Sequence, residues 1–385
     1  MSIPSRPGSG ACAQSQNLPN PGQEALLHAC LCPPELFGQH WRAWREAEDI
    51  EHLDESSNRL LPLLFKQAEK AGWVDHEMGR LRGIYRYQWC RNQLMLAELR
   101  RVLHTLNLAS IEVMLLKGAA MIEGYYEDPA LRPMSDLDIM VRPENFEKAS
   151  QILRGLEYTQ RFSVDFEKIR SERLTHAIEF TRSVNGQTWE IDLHWTPLHR
   201  ATWPGAEEPF WEHSRAVSFK GETCRTFDPT HQLLHVCLHG ALWNALPPMR
   251  WVTDAMWILR KDNIEWHRLM EHARDLNGLQ LLKNSLEYIH SRFDAPIPDG
   301  VLKQLNDLRP SRFERLEFSL QTSSSSDMRL GQLLLLGWLN HSRALHGMPL
   351  WRRVTSFPNY LKTACKLTYW RQAPGYVIKR LTARS

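Results

Sequence analysis

Asp136 and Asp138 stand one residue apart in the segment Arg132-Pro-Met-Ser-Asp-Leu-Asp-Ile-Met-Val141. The alternation from Leu137 to Val141 predicts a strand, on which both carboxylates leave one face while Leu137 and Ile139 point into a core. Two anions so close repel each other, and a divalent cation between them removes the conflict. Magnesium fits, because it prefers hard oxygen ligands and completes its shell with water and phosphate oxygens. An Asp-x-Asp alone is a weak signal, so its neighbours decide. Upstream, the apolar run Ile111-Glu-Val-Met-Leu-Leu116 stops at Lys117-Gly118, a strand-to-helix turn where backbone N–H groups can approach a triphosphate. Arg132 and Ser135 offer a guanidinium and a hydroxyl to phosphate oxygens just before the aspartates. Downstream, Trp189-Glu-Ile-Asp-Leu-His-Trp195 alternates again, with Glu190, Asp192 and His194 on one face, and Asp192, in preference to Glu190, supplies a third carboxylate.

Three carboxylates on neighbouring strands meet the needs of two-metal phosphoryl transfer, in which the ions lie roughly 3.5–4 Å apart and stabilise the entering and leaving oxygens. On this reading Asp136 and Asp138 hold both Mg²⁺ ions, with Mn²⁺ as the alternative metal. Asp192 completes the site of the ion that activates an acceptor hydroxyl, and takes its proton. The expected reaction moves a nucleoside monophosphate, AMP from ATP, to an acceptor hydroxyl or phosphate with release of pyrophosphate. Two readings compete. A glycosyltransferase also uses Asp-x-Asp, but leaves the Lys117-Gly118 turn and the third carboxylate without a purpose. A catalytically degenerate module would bind nucleotide or a partner and transfer nothing.

Together, Leu115-Leu-Lys-Gly118, Arg132-x-x-Ser-Asp-Leu-Asp138 and Ile191-Asp-Leu-His-Trp195 resemble the polymerase-beta-type nucleotidyltransferase superfamily. More narrowly, the chain resembles a bacterial family of uncharacterised nucleotidyltransferases, often encoded with polysaccharide- or peptide-modifying genes. The likeness runs through Leu233-Leu-His-Val-Cys-Leu-His-Gly240, Trp243, Arg250-Trp251 and Asp254, over about residues 60–295. It implies a nucleotidyltransferase-fold core with a helical C-terminal domain, Asp136 and Asp138 as metal ligands, and Asp192 as the third carboxylate. Where the superfamily usually has Gly-Ser at the first turn, this chain has Gly118-Ala119, which removes a hydroxyl from the phosphate cradle.

The elements that must position these residues give an α+β fold: a small mixed sheet flanked by helices. Residues 1–23, rich in Pro, Ser and Gly, read as a disordered leader without a signal-peptide core. Residues 24–107 show three-and-four spacing, as in Leu60 to Phe65 and Ile84 to Leu103, and predict an N-terminal helical region without visible chemistry. The catalytic core spans 108–227, with Pro143 opening a helix that stops at Arg154-Gly155. A helical C-terminal domain follows over 228–350, then a basic tail over 351–385 with eight Lys and Arg and no Asp or Glu. The tail reads first as a solvated helix and end, second as a contact for phosphate or an anionic surface. His231, His235 and His239 share a helical face that could bind metal, but the leucines between them favour buried packing, with His239 left to face the pocket. Arg250 and Asp254, one turn apart after Pro247-Pro248, read as a surface pair, and most tryptophans from Trp189 to Trp266 as core.

Across 385 residues the net charge is only +3, which does not by itself imply a nucleic-acid partner. The seven cysteines are odd in number and scattered, and Cys30-x-Cys32 lacks the second pair of a zinc site, so they read as reduced thiols of a cytoplasmic protein. No apolar run reaches the ~20 residues of a membrane span. Ser323–Ser326 reads as a loop. The partners expected are thus an NTP and an acceptor that is a small molecule, sugar, peptide, protein or RNA.

Overall fold

The computed structural model describes residues 18–161, 166, 170, 173, 175–240, 249–322, 330–364 and 370–372. Most of the leader, Cys12, Trp243, Pro247-Pro248, Ser323–Ser326, Cys365 and most of the tail beyond it lie outside the described residues.

The N-terminal helices are α1 (Pro21–Leu31), α2 (Phe37–Ala47), α3 (Glu55–Asn58), α4 (Leu61–Lys70) and α5 (Met78–Leu108). Helix α1 begins inside the stretch read as leader. Asn20 and Gln23 form a capping box around Pro21, satisfying two N–H groups that a helix start otherwise leaves bare. Helix α5 is 31 residues long, about 46 Å at 1.5 Å per residue, and its apolar positions follow two different partners along its length.

Strand β1 (Val113–Leu115) leads into α6 (Lys117–Gly124), then β2 (Leu137–Val141), a 3₁₀ turn at Pro143–Asn145 and α7 (Phe146–Gly155). Pro143 therefore opens a 3₁₀ turn rather than the α-helix itself. The sheet continues with β3 (Thr159–Gln160), β4 (Ala177–Val184), β5 (Gln187–His194), β6 (Arg215–Phe219) and β7 (Glu222–Thr226), with α8 (Glu208–Glu212) before β6. Among the described residues the seven strands form one mixed sheet in the order β3-β4-β5-β2-β1-β7-β6. The pairs β2–β5 and β1–β7 are parallel, and the others antiparallel. Beyond it come α9 (Pro229–Gly240), α10 (Arg250–Lys261), α11 (Trp266–Asp275), α12 (Leu279–Phe293), α13 (Asp299–Asp307), α14 (Arg312–Thr322), α15 (Leu330–Ala344) and α16 (Leu350–Ala364). The fold is α+β, as the alternation of periodicities implied.

Period-two alternation sends the sheet's apolar residues into two cores. Val113, Leu115, Ile139, Val141, Ile191 and Leu193 pack with α7 and the C-terminal half of α5, from Met95 to Leu106. Met114, Leu116 and Met140 point the other way, into a larger core. There the N-terminal helices, through Leu26, Trp44 and Leu64, meet the C-terminal ones, through Leu234, Val252 and Leu282. The regions read separately as N-terminal and C-terminal helices thus share one core on one side of the sheet. Among the described residues the cysteines are free, and no helix is long and apolar enough to cross a membrane.

Candidate active site

Asp138 lies on the same face of β2 as Met140, and so points to the side where the two helical regions meet. Parallel pairing sets Asp138 opposite Asp192 and Met140 opposite His194. Neighbouring strands lie about 4.8 Å apart, so register alone brings residues 54 apart in sequence side by side. The ligand atoms of Asp138, Asp192 and His194 all lie within 4.8 Å of one another, the one group of at least three His, Cys, Asp or Glu so placed among the described residues. The His194 Nε2 is 3.0 Å from Asp138 Oδ1, and both side chains are almost wholly buried. Sequence reasoning placed His194 on the face of Asp192 but gave it no task; the i, i+2 spacing was the signal.

The Lys117 ammonium sits 2.6 Å from the same Asp138 oxygen. It is held there because Leu116 N–H donates to the Asp138 carbonyl at 3.0 Å, extending the β1–β2 ladder up to the turn. The left-handed backbone of that turn falls on Lys117, at φ 45°, not on Gly118. Gly118 serves a different need: a Cβ there would come within 2.7 Å of Met134 Cγ, so glycine lets the loop before β2 close over the helix start. The following Ala119 is buried in the sheet-side core.

Electrostatics follow from this crowding. Burial by itself would raise the Asp138 carboxyl, but Lys117 and His194 outweigh it and hold the group well below the usual carboxylate range. For Asp192 burial and repulsion from Asp138 act together and push the carboxyl up to about 7. Asp136, one residue before β2, is also raised, by burial and then by Asp138. One carboxylate is thus neutralised while its two neighbours lack a full share of positive charge. A site in this state gains from a further cation, and carboxylate oxygens suit a hard divalent one. His194 fits as the group that orients Asp138.

Asp136, Asp138, Lys117 and Gly118 line a cleft of about 470 Å³. Asp192 stands beside Asp138 but is not among the residues lining the cleft. The loop before β2 adds Arg132, Met134 and Ser135, and helices supply Glu55, Ser56 and Arg59 at α3, His235 and His239 of α9, and Arg250 and Trp251 of α10. No sequence motif marked Glu55, Ser56 and Arg59, and the N-terminal region had shown no chemistry.

The loop carrying Arg132 and Ser135 is fixed from two sides. From α5, Asn92 donates to the carbonyls of Pro129 and Arg132 at 2.6 and 2.9 Å. From α10, Asp254 takes the Arg132 guanidinium through three hydrogen bonds of 2.8–3.0 Å and also accepts from Tyr126. Arg132, expected at phosphate, lines the cleft and is paired with Asp254. Asp254 is buried and partnered by Arg132, while Arg250 donates to the Pro133 carbonyl at 2.6 Å, which corrects the reading of Arg250 and Asp254 as a surface pair. Ser135 lies 3.2 Å from Asp136 Oδ1. The three histidines of α9 part company: His231 meets His272 at 2.6 Å, His235 meets the Pro197 carbonyl at 3.2 Å, and His239 opens onto the cleft. Packing thus accounts for the helix.

Residues 56–294 match the model of a family described as uncharacterised nucleotidyltransferase. No curated protein matches the chain. Among solved structures, the chain is similar to an antigenic nucleotidyltransferase-like protein from Paracoccidioides brasiliensis, at 13% identity and a TM-score of 0.38, over 55% of this chain and 96% of that one. The family match takes in β1, β2, β5 and the cleft helices α9 and α10, well over half of the sequence, and the chain belongs to this family of uncharacterised nucleotidyltransferases.

Proposed function

We propose that this protein transfers a nucleoside monophosphate, AMP from ATP, to a hydroxyl or phosphate on an acceptor and releases pyrophosphate. The observation that carries the proposal is the in-register pairing of Asp138 with Asp192 beside a cleft of about 470 Å³, a volume suited to a nucleotide. Asp136, Asp138 and Asp192 would hold magnesium, with manganese as the alternative. When bound, the metal neutralises phosphate charge and lowers the pKa of the attacking hydroxyl.

The chain's own groups then divide the work. Asp138 stays ionised through Lys117 and His194, so it is ready to ligate at neutral pH. The Lys117 ammonium, close to both Asp138 and the cleft, serves the phosphate groups, and Gly118 brings the start of α6 against them. Ser135 adds a hydroxyl at the rim, while Arg132 acts through Asp254 by fixing the loop. Asp192, outside the cleft lining, faces the acceptor, and its Oδ atom accepts the hydroxyl proton.

Incubating the protein and its variants with α-phosphate-labelled ATP, magnesium and lysate tests the reading. Wild type is expected to label an acceptor and release pyrophosphate. Asp136→Asn and Asp138→Asn are each expected to lose at least about a hundredfold, equivalent to roughly 3 kcal/mol, as is wild type stripped of divalent metal. Substantial labelling by both variants would sink the proposal. Release of a nucleoside diphosphate from a nucleotide sugar would instead select the glycosyltransferase reading, and nucleotide binding without product the binding module.

A further inference from the structure

The helical wall of the cleft holds a cation, Arg250, that makes no ion pair with Asp136 or Asp138 among the described residues. Arg250 is the first residue of α10, and the one hydrogen bond of its guanidinium among the described residues runs from Nη1 to the Pro133 carbonyl. The acid one turn ahead, Asp254, is taken by Arg132. Burial, then Arg132 and Arg59, pull the Arg250 pKa down to about 9, against the opposing pull of Asp254 and Asp136. A guanidinium keeps its proton in proteins, and its fork of N–H donors suits an anion. Arg59, by contrast, is paired with Glu55.

Backbone groups add to the same field. Helices α6 and α10 both begin at this cleft, and neither has a side chain capping its N-terminus. Each presents the positive end of its dipole and, among the described residues, first-turn N–H groups without a side-chain cap. Two helix starts and a guanidinium with one bonded donor among the described residues therefore line the same cleft as Asp136 and Asp138.

We propose that Arg250, with the uncapped starts of α6 and α10, seats the β- and γ-phosphates of the nucleoside triphosphate. This rests on the nucleotidyl-transfer reading and adds to it what the leaving group meets. Cleavage between the α- and β-phosphates builds charge on pyrophosphate, and fixed donors there stabilise that charge as it forms. The arrangement also requires the C-terminal helices to complete a site whose metal-binding acids would come from β2, the residue before it and β5.

Calorimetry on the full chain tests the seat, using inorganic tripolyphosphate in EDTA, so that no metal contributes, and ATP and AMP with magnesium. Arg250→Met is expected to weaken tripolyphosphate and ATP about tenfold or more while AMP changes by less than about twofold, since a charged fork to phosphate is worth that much. Arg250→Lys should recover part of the loss, and it keeps a donor near Pro133 should the Met variant fold poorly. Wild-type ATP affinity in Arg250→Met would overturn the proposal even if tripolyphosphate were lost, since the seat would then serve a phosphate on another molecule. Equal losses for ATP and AMP in both variants would also overturn it, by showing general damage to the cleft. Transfer activity in Asp138→Asn would refute the chemistry without touching this result, so the two failures are distinguishable.

Discussion

At Asp254 a buried charge is spent on architecture. Its carboxylate is nearly inaccessible, accepts from Tyr126 and is gripped by Arg132, so the loop before β2 is anchored to a helix of the C-terminal region. Such a pair contributes little net stability when intact, because desolvation offsets attraction, but leaving one partner alone is costly. Asp254→Asn is therefore expected to lower unfolding free energy by about 3–5 kcal/mol, measured by urea denaturation, while the double variant Arg132→Met, Asp254→Leu recovers much of that. A loss below about 1 kcal/mol in the single variant would show that the loop is held by Asn92 and Arg250 instead. The same logic separates Asp138 from Asp192: each is a carboxylate on the same face, but only the first has an ammonium in contact, and their proton affinities diverge accordingly.

Among the elements, α9 depends on its first turn. Asp228 accepts from the His231 N–H at 3.1 Å, lies 2.9 Å from His231 Nδ1 and pairs with Arg268 of α11, so one carboxylate caps α9 and ties it to its neighbour. Burial opposes ionisation, but the hydrogen bonds and charge of His231, then Arg268, bring the carboxyl down to about 2. A depressed folded pKa means stability that is complete above the unfolded value, near 3.8, and is lost as pH falls through about 2. Wild type should exceed Asp228→Asn by about 2 kcal/mol at pH 6, and the gap should shrink below about pH 4. A gap that does not change with pH would mean that the cap acts through shape rather than charge.

For the molecule as a whole, α5 is the link between cores. Leu81 belongs to the core shared by the N-terminal and C-terminal helices, whereas Met95 to Leu106 belong to the core on the other face of the sheet. Residues 26–81 and 233–305 bury their apolar surface against each other, so neither set keeps its core if the other unfolds. Tryptophan fluorescence and far-ultraviolet circular dichroism should then report one coincident urea transition, and removing residues 1–70 should abolish it. Two separated transitions would show that the helical regions are independent. The cleft has the same dependence, since α3, α6 and α10 each supply a wall.

Local pattern alone specified a good deal. Alternation over Leu137–Val141 and Trp189–Trp195 determined which side chains share a face, and hence that Asp136, Asp138 and Asp192 were worth grouping and that the sheet was mixed with helices around it. Strand period and helix period are set by neighbours in the chain, so they are visible in it. The partners of those faces are not. Register decided that Asp138 meets Asp192 with His194 close by, and it is set by crossover connections and by the burial of Ile191 and Leu193. Tertiary packing alone decided that Arg132 answers Asp254, that Lys117 answers Asp138, that Arg250 is left without a paired carboxylate among the described residues, and that Glu55, Ser56 and Arg59 reach the cleft. Each of these is a choice among many charges of equal type, and only distance and desolvation in the folded chain select between them.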